Sequence, residues 1–172
     1  SCQGKTSSGT DGDEQVSVLD TVLAYKYKKS GEKPAKFELK IRGNKKTKQG
    51  NLTGGIEDYT MAILIDTLYD TAYFNRANNL MELGANNEAL ADYNKSIRIN
   101  PHFLEAYINR GLLKSKMGDI EGELSDYRLA IKIGKPNADL YNNLGRALYD
   151  LERFKESAEA YGEGIKHFPK DY

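Results

Sequence analysis

Apolar positions along the chain recur at a fixed long interval. At first sight residues 36–51, KFELKIRGNKKTKQGN, alternate apolar and polar side chains as a β-strand does and end in lysines typical of a phosphate-binding hairpin. The interval gives a different interpretation, because four tyrosines stand 34 residues apart and a period of this size indicates a repeat protein. They are Tyr59, Tyr93, Tyr127 and Tyr161.

The same 34-residue step aligns further columns of residues. One column is small: Gly43, Ala77, Gly111 and Gly145. Another is apolar: Ile63, Ile97, Ile131 and Ile165. A third holds Gly50, Gly84 and Gly118, with Glu152 in the fourth place. Residues 36–51 therefore contribute Gly43 and Gly50 to the pattern, which predicts a helix that ends in a glycine turn.

Residues 72–101, AYFNRANNLMELGANNEALADYNKSIRINP, resemble a tetratricopeptide repeat (TPR). That family has a small residue in helix A, a glycine turn, an aromatic residue in helix B and a closing proline. The resemblance implies an all-α fold, an α-solenoid of helix-turn-helix repeats. Four repeats are expected: 36–69, 70–103, 104–137 and 138–171.

The chain before the first repeat divides into two parts. Residues 1–14 are small and polar and are expected to form a disordered tether. Residues 15–35 begin with apolar residues at helical spacing, so we expect a helix that packs on the first repeat. Leu23, Tyr25 and Tyr27 also alternate as in a strand, and both interpretations stay open.

Arginine and aspartate change together between the repeats. The first three repeats carry an arginine in helix A and an aspartate in helix B, and the fourth has Leu144 and Ala160 instead. This pattern predicts an ion pair within each of three repeats. The pairs are Arg42 with Asp58, Arg76 with Asp92, and Arg110 with Asp126.

The last repeat has the composition of a terminus. His167 replaces an isoleucine and Ala158 replaces an isoleucine or leucine of the earlier repeats. Both changes remove apolar surface, as expected of a capping repeat. No separate capping helix is predicted after it, so homodimerisation through this end stays open.

The resemblance implies that a peptide or protein is held on the concave surface lined by the A helices. Asparagine dominates that surface, and its carboxamide can pair with the backbone of an extended peptide. The candidate binding residues are Lys40, Asn44, Phe74, Asn75, Asn78, Asn109, Asn143, Arg146 and Tyr149.

Part of this surface is similar to the carboxylate clamp of chaperone co-factors in the family. Lys40, Asn44 and Asn75 match the first half of the clamp. The third repeat has Glu105 and Asn109 where the clamp needs cations. A complete clamp is therefore not expected, whereas a weaker carboxylate site at Lys40 and Asn44 stays open.

Other functional classes find little support in the composition. The chain of 172 residues has 25 Lys and Arg against 25 Asp and Glu, so it has no general attraction for nucleic acid. The lysines before residue 49 would form a basic patch, but we expect no nucleic acid partner. No catalytic or metal-binding set is recognisable, so we expect no enzyme, no cofactor and no metal.

Cys2 is the one cysteine. A cysteine near the N-terminus followed by a polar tether is similar to a mature bacterial lipoprotein, which implies a lipid on Cys2 and a place at the cell envelope. The alternative is a free surface cysteine in a cytoplasmic protein.

The sequence thus predicts a non-catalytic TPR module that binds a protein or peptide in an asparagine-rich groove. A lipid anchor would be its one contact with a membrane. The alternative is an assembly scaffold that acts through its terminal surfaces, as a homodimer or a fixed subunit of a complex.

Overall fold

The computed structural model describes residues 35–134 and 136–170, and these residues form helices joined by short turns. The tether at 1–14 and all but the last residue of the segment 15–35 lie outside them. The helices are α1 (Lys36–Lys48), α2 (Leu52–Ile65), α3 (Asp70–Glu82), α4 (Asn86–Ile99), α5 (Leu104–Lys116), α6 (Ile120–Ile133), α7 (Ala138–Asp150) and α8 (Phe154–His167).

Each helix packs mainly on its neighbours in the chain, so the helices form four pairs, α1/α2 to α7/α8, that stack in order. The first helices of successive pairs also touch, α1 with α3 and α3 with α5, and so form an inner layer. This is the predicted α-solenoid, and α1 confirms that residues 36–48 are helical.

Left-handed residues end the first helix of every pair. Gly50, Gly84 and Gly118 have φ of 79°, 80° and 84°, and Glu152 has φ of 58° in the same place. Glycine adopts this conformation without a steric penalty, whereas a side chain such as that of Glu152 is strained. The turn therefore keeps its shape even where the sequence departs from the glycine column.

Large aromatic rings pack against the small-residue column. Tyr59, Tyr93 and Tyr127 are fully buried. A Cβ atom built on Gly111 would lie 2.8 Å from Cε1 of Tyr127, so the two helices approach too closely for a larger side chain. The spacing of small and aromatic residues thus sets the distance between the two helices of a pair.

Candidate functional site

The predicted groove residues lie on the inner helices α1, α3, α5 and α7. The asparagines and Lys40 are partly buried, whereas Arg146 and Tyr149 are exposed. Phe74 is partly buried too, and its ring centroid lies 4.7 Å from that of Phe103 and 6.1 Å from that of Tyr93. The structure therefore gives Phe74 packing partners within the protein.

Hydrogen bonds join the asparagines across the first junction between helix pairs. Tyr59 Oη donates to Asn44 Oδ1 at 2.8 Å, and Asn75 Nδ2 donates to the same oxygen at 3.2 Å. Asn44 Oδ1 thus accepts two hydrogen bonds. A carboxamide oxygen has two lone pairs, so this acceptor is saturated and the two N–H groups of Asn44 are left as donors.

The second junction repeats the arrangement one step along the chain. Tyr93 Oη donates to Asn78 Oδ1 at 2.5 Å, and Asn109 Nδ2 donates to it at 2.9 Å. We call these two sets of tyrosine, asparagine and asparagine the inner ladder. The sequence analysis missed its internal bonds, although the shared 34-residue spacing of Tyr59/Tyr93 and Asn44/Asn78 is a signal for it.

The third junction lacks the central residue of the ladder. Leu112 stands in the column of Asn44 and Asn78, so it offers no acceptor. The buried hydroxyl of Tyr127 lies beside the Glu123 carboxylate but makes no well-formed hydrogen bond, and neither does the buried Oε1 of Glu123. Arg146 Nη2 lies 3.7 Å from that oxygen, and the Arg146 side chain is 55% exposed against 2% for Glu123. A buried carboxylate therefore stands beneath an arginine at the surface.

Each of the first three pairs of helices contains its predicted arginine–aspartate ion pair. The Nε and Nη2 atoms of each arginine donate to the two carboxylate oxygens of its aspartate, at 2.6 to 2.9 Å. The predicted intrarepeat pairing is confirmed. Arg76 Nη1 also donates to Thr60 of the preceding pair, as Arg110 Nη1 does to Asn94, so the arginines also connect successive pairs.

Lys46 is one of the lysines before residue 49 that were expected to form a basic patch, but it is bound within the protein. Its Nζ lies 2.9 Å from Oδ2 of the fully buried Asp58, and Lys114 makes the same contact with Asp126 at 3.0 Å. A buried carboxylate attracts every cation within reach, because its charge is poorly solvated. The sequence contains a signal for this contact, because Lys46 and Lys114 occupy the same column of the repeat.

A cleft of about 210 Å³ opens on the inner face between α1 and α3. It is lined by Asn44, Thr47, Lys48, Tyr59, Asn75, Asn78 and Asn79. Its floor is a second polar network that the sequence analysis missed: buried Asn79 donates from Nδ2 to Thr47 Oγ1 at 2.8 Å and to the Leu52 carbonyl at 3.1 Å. These bonds hold α3 against the first pair, so the cleft has fixed walls.

Burial affects the titration of the three fully buried tyrosines of this column. Burial raises the pKa of the Tyr59, Tyr93 and Tyr127 phenols above the ordinary value, and the charge of the neighbouring Glu123 raises the pKa of Tyr127 further. These phenols are therefore neutral over the physiological range, and those of Tyr59 and Tyr93 can act as the donors of the ladder.

The described part of the chain contains neither a metal site nor a membrane-spanning helix. Residues 35–134 and 136–170 contain no cluster of three or more His, Cys, Asp or Glu side chains that could hold a metal ion. None of their helices combines the length and hydrophobicity that crossing a membrane needs. Cys2, the candidate for lipidation, lies outside the described residues.

Comparisons with known proteins agree with the architecture. A TPR repeat profile matches residues 77–118, and two tetratricopeptide repeat profiles match residues 104–134 and 138–171. Together these matches cover more than half of the chain. No curated protein sequence matches it.

Solved structures with the same fold are numerous. A crystal structure of MamA is 18% identical and superimposes with a TM-score of 0.77 over 88% of each chain. A tetratricopeptide repeat protein from Parabacteroides merdae is 25% identical, with a TM-score of 0.71 over 88% of this chain and 60% of that one.

A third structure includes a bound peptide. It is the first TPR of Spaghetti (RPAP3) bound to the HSP90 peptide SRMEEVD. It is 26% identical, with a TM-score of 0.66 over 68% of this chain and 93% of the other. The profile matches, the paired helices and the periodic packing have one explanation: this chain belongs to the tetratricopeptide repeat family.

Proposed function

We propose that the chain is a protein-interaction module that holds an extended peptide segment of its partner along the inner face of α1, α3, α5 and α7. The family supports the general role, and the similar structure with a bound HSP90 peptide supports a peptide as the ligand. We propose in addition that the asparagines of the groove contact the peptide backbone.

The observation that carries the proposal is the direction of the ladder hydrogen bonds. Asn44 and Asn78 use their oxygens internally, so their N–H groups are left for a ligand carbonyl. Asn75 and Asn109 use an N–H group internally and keep Oδ1 as an acceptor. Donors and acceptors thus alternate along the groove, as carbonyl and N–H groups alternate along an extended peptide.

A carboxylate site at Lys40 and Asn44 belongs to the same proposal. The ladder orients the Asn44 amide with its donors free, and Lys40 stands one turn earlier on α1. Lys48 lines the adjacent cleft. An ammonium group and amide donors together suit a carboxylate.

Selection from a random heptapeptide library tests the proposal. The wild-type chain is compared with the double variant Asn109→Ala/Asn143→Ala, and with the control Asn87→Ala/Ser125→Ala, which alters exposed residues of the outer helices α4 and α6. We expect the wild type and the control to enrich the same peptides and the groove variant to lose them. Unchanged enrichment by the groove variant would instead favour the scaffold that acts through its terminal surfaces.

The lipid anchor stays a prediction from the sequence, and with it the location at a bacterial cell envelope. Mass spectrometry of the protein isolated from its native cells tests it. A diacylglyceryl mass on Cys2 would support the anchor, and an unmodified Cys2 in a protein that is not bound to membranes would remove it. The non-catalytic role likewise stays a prediction.

A further inference from the structure

The third junction differs from the first two in ways that all affect the inner face. Leu112 removes the acceptor that Asn44 and Asn78 provide elsewhere. Asn143, in the column of Asn75 and Asn109, therefore lacks that internal acceptor, and its half-buried carboxamide has neither polar atom engaged in the ladder. The amide that is structural at two junctions is available for a ligand at the third.

A cation stands beside this free amide. Arg146 follows Asn143 by three residues on α7, so both lie on the same face of the helix. Arg146 occupies the column of Asn44, Asn78 and Leu112, where no other repeat has a charge. Its side chain is 55% exposed, and it is not tied to an aspartate as Arg42, Arg76 and Arg110 are.

The residue beneath Arg146 is also exceptional. Glu123 stands where the other pairs have Gly55, Ala89 and Ser157, and its side chain is 2% exposed. Its Oε1 has no hydrogen bond, and the neighbouring Tyr127 hydroxyl has none either. Leaving a charged atom in this state is costly, so the nearest cation is attracted toward it. Arg146 Nη2, at 3.7 Å, is that cation.

We propose that this junction is a subsite for a carboxylate of the bound peptide, in which Arg146 and Asn143 contact the carboxylate and Glu123 is a positioning residue. Glu123 holds one edge of the guanidinium, and the remaining N–H groups of the planar fork point away from it. They can then bind a carboxylate in a bidentate manner, with Asn143 Nδ2 as a further donor. Exposed Tyr149, one turn further along α7, borders the subsite.

This subsite rests on the proposed function, and it names the chemistry that the groove selects. It is distinct from the carboxylate site at Lys40 and Asn44, which lies at the other end of the inner face. Its carboxylate can come from an acidic side chain or from the C-terminus of the peptide, and the experiment separates the two sources.

The test uses two random heptapeptide libraries, one with a free C-terminal carboxylate and one with a C-terminal carboxamide. Each is selected on the immobilised full chain, and enriched peptides are resynthesised with each Asp or Glu replaced by Asn or Gln. We expect one carboxylate of the enriched peptides to raise affinity by about tenfold, the size of a charge-assisted hydrogen bond. If only the free-carboxylate library is enriched, the C-terminus is the source; enrichment of both libraries identifies a side chain.

Three variants assign the effect to the junction. Arg146→Asn, which introduces the residue of Asn44 and Asn78, is expected to reduce the tenfold preference to about one while other peptide contacts persist. Glu123→Ala, which introduces the residue of Ala89, keeps the cation but is expected to weaken the preference severalfold, whereas Glu123→Asp restores part of it. Circular dichroism of each variant checks that the fold is kept.

The outcomes separate this inference from the proposed function. If the wild type enriches no peptide, both are wrong. If peptides are enriched but their affinity does not depend on a carboxylate, or depends on one equally in the Arg146→Asn variant, the subsite alone is wrong.

Discussion

Arg110 and Asp126 form a bidentate pair, with Nε to Oδ2 at 2.8 Å and Nη2 to Oδ1 at 2.6 Å. Lys114 adds a third contact at 3.0 Å, and the Asp126 side chain is only 1% exposed. The fourth pair of helices has Leu144, Leu148 and Ala160 in these three columns, and all three are buried. The same position in the fold is thus filled either by an ionic cluster or by an apolar one.

This alternation predicts the cost of breaking the cluster. Asp126→Ala leaves two largely buried cations without an anionic partner and should lower the free energy of unfolding by about 3 kcal/mol. The triple variant Arg110→Leu/Lys114→Leu/Asp126→Ala copies the fourth pair and should cost about 1 kcal/mol or less. Urea unfolding measures both. A triple variant less stable than Asp126→Ala would show that the cluster is not replaceable.

The ladder predicts different effects at two equivalent tyrosines. Tyr93→Phe removes a hydroxyl that donates to Asn78 and should lower the free energy of unfolding by about 1 kcal/mol. Tyr127→Phe removes a buried hydroxyl that lies beside the Glu123 carboxylate without a well-formed hydrogen bond, so it should cost clearly less than Tyr93→Phe. The comparison is matched, because both rings are fully buried in the same column. Equal losses in urea unfolding would contradict the ladder.

Glu152 predicts a stabilising substitution. Its φ of 58° is left-handed, and the Glu152→Gly variant should raise the free energy of unfolding by about 1 kcal/mol. Gly118→Ala is the reciprocal change: a Cβ there meets no atom within 4 Å, so its expected loss of about 1 kcal/mol is conformational alone. Thermal unfolding of both variants decides this. A destabilised Glu152→Gly would mean that the side chain has a role that outweighs the strain.

Buried phenols predict the alkaline limit of stability. Burial raises the pKa of Tyr93 and Tyr127 in the folded chain above the unfolded value near 10. Folding therefore favours the neutral phenol. The contribution of these two phenols to the free energy of unfolding is complete below about pH 10 and is lost as the pH rises above that value. Unfolding followed against pH should show this decline. Stability that stays constant through the titration of the unfolded tyrosines would contradict it.

The fold could be predicted because helix packing repeats a few steric requirements at a fixed period. The contact of Gly111 with Tyr127 depends only on residue size, and the turn at Gly118 depends only on backbone conformation. Both requirements can be recognised from the residue type. The Arg110–Asp126 pair was also predictable, since its two members disappear together in the fourth repeat.

The candidate site was harder to predict, because the direction of a carboxamide depends on its three-dimensional neighbours. Asn75 and Asn143 share a column, yet Asn75 is bonded to Asn44, whereas the residue in the column of Asn44 at the third junction is Leu112, which has no acceptor. Residue type alone does not reveal this difference. The difference can be recognised only when it is known that the residues in the column of Leu112, Asn44 and Asn78, accept hydrogen bonds from the tyrosines of the adjoining helices.

The most direct test of the central proposal is a nuclear magnetic resonance titration of the isotope-labelled chain with an enriched heptapeptide. If a peptide binds along the inner face, the side-chain amide signals of Asn44, Asn78 and Asn143 should shift, while that of Asn87 on the outer helix α4 should not. Shifts confined to the outer helices or to the terminal surfaces would contradict it.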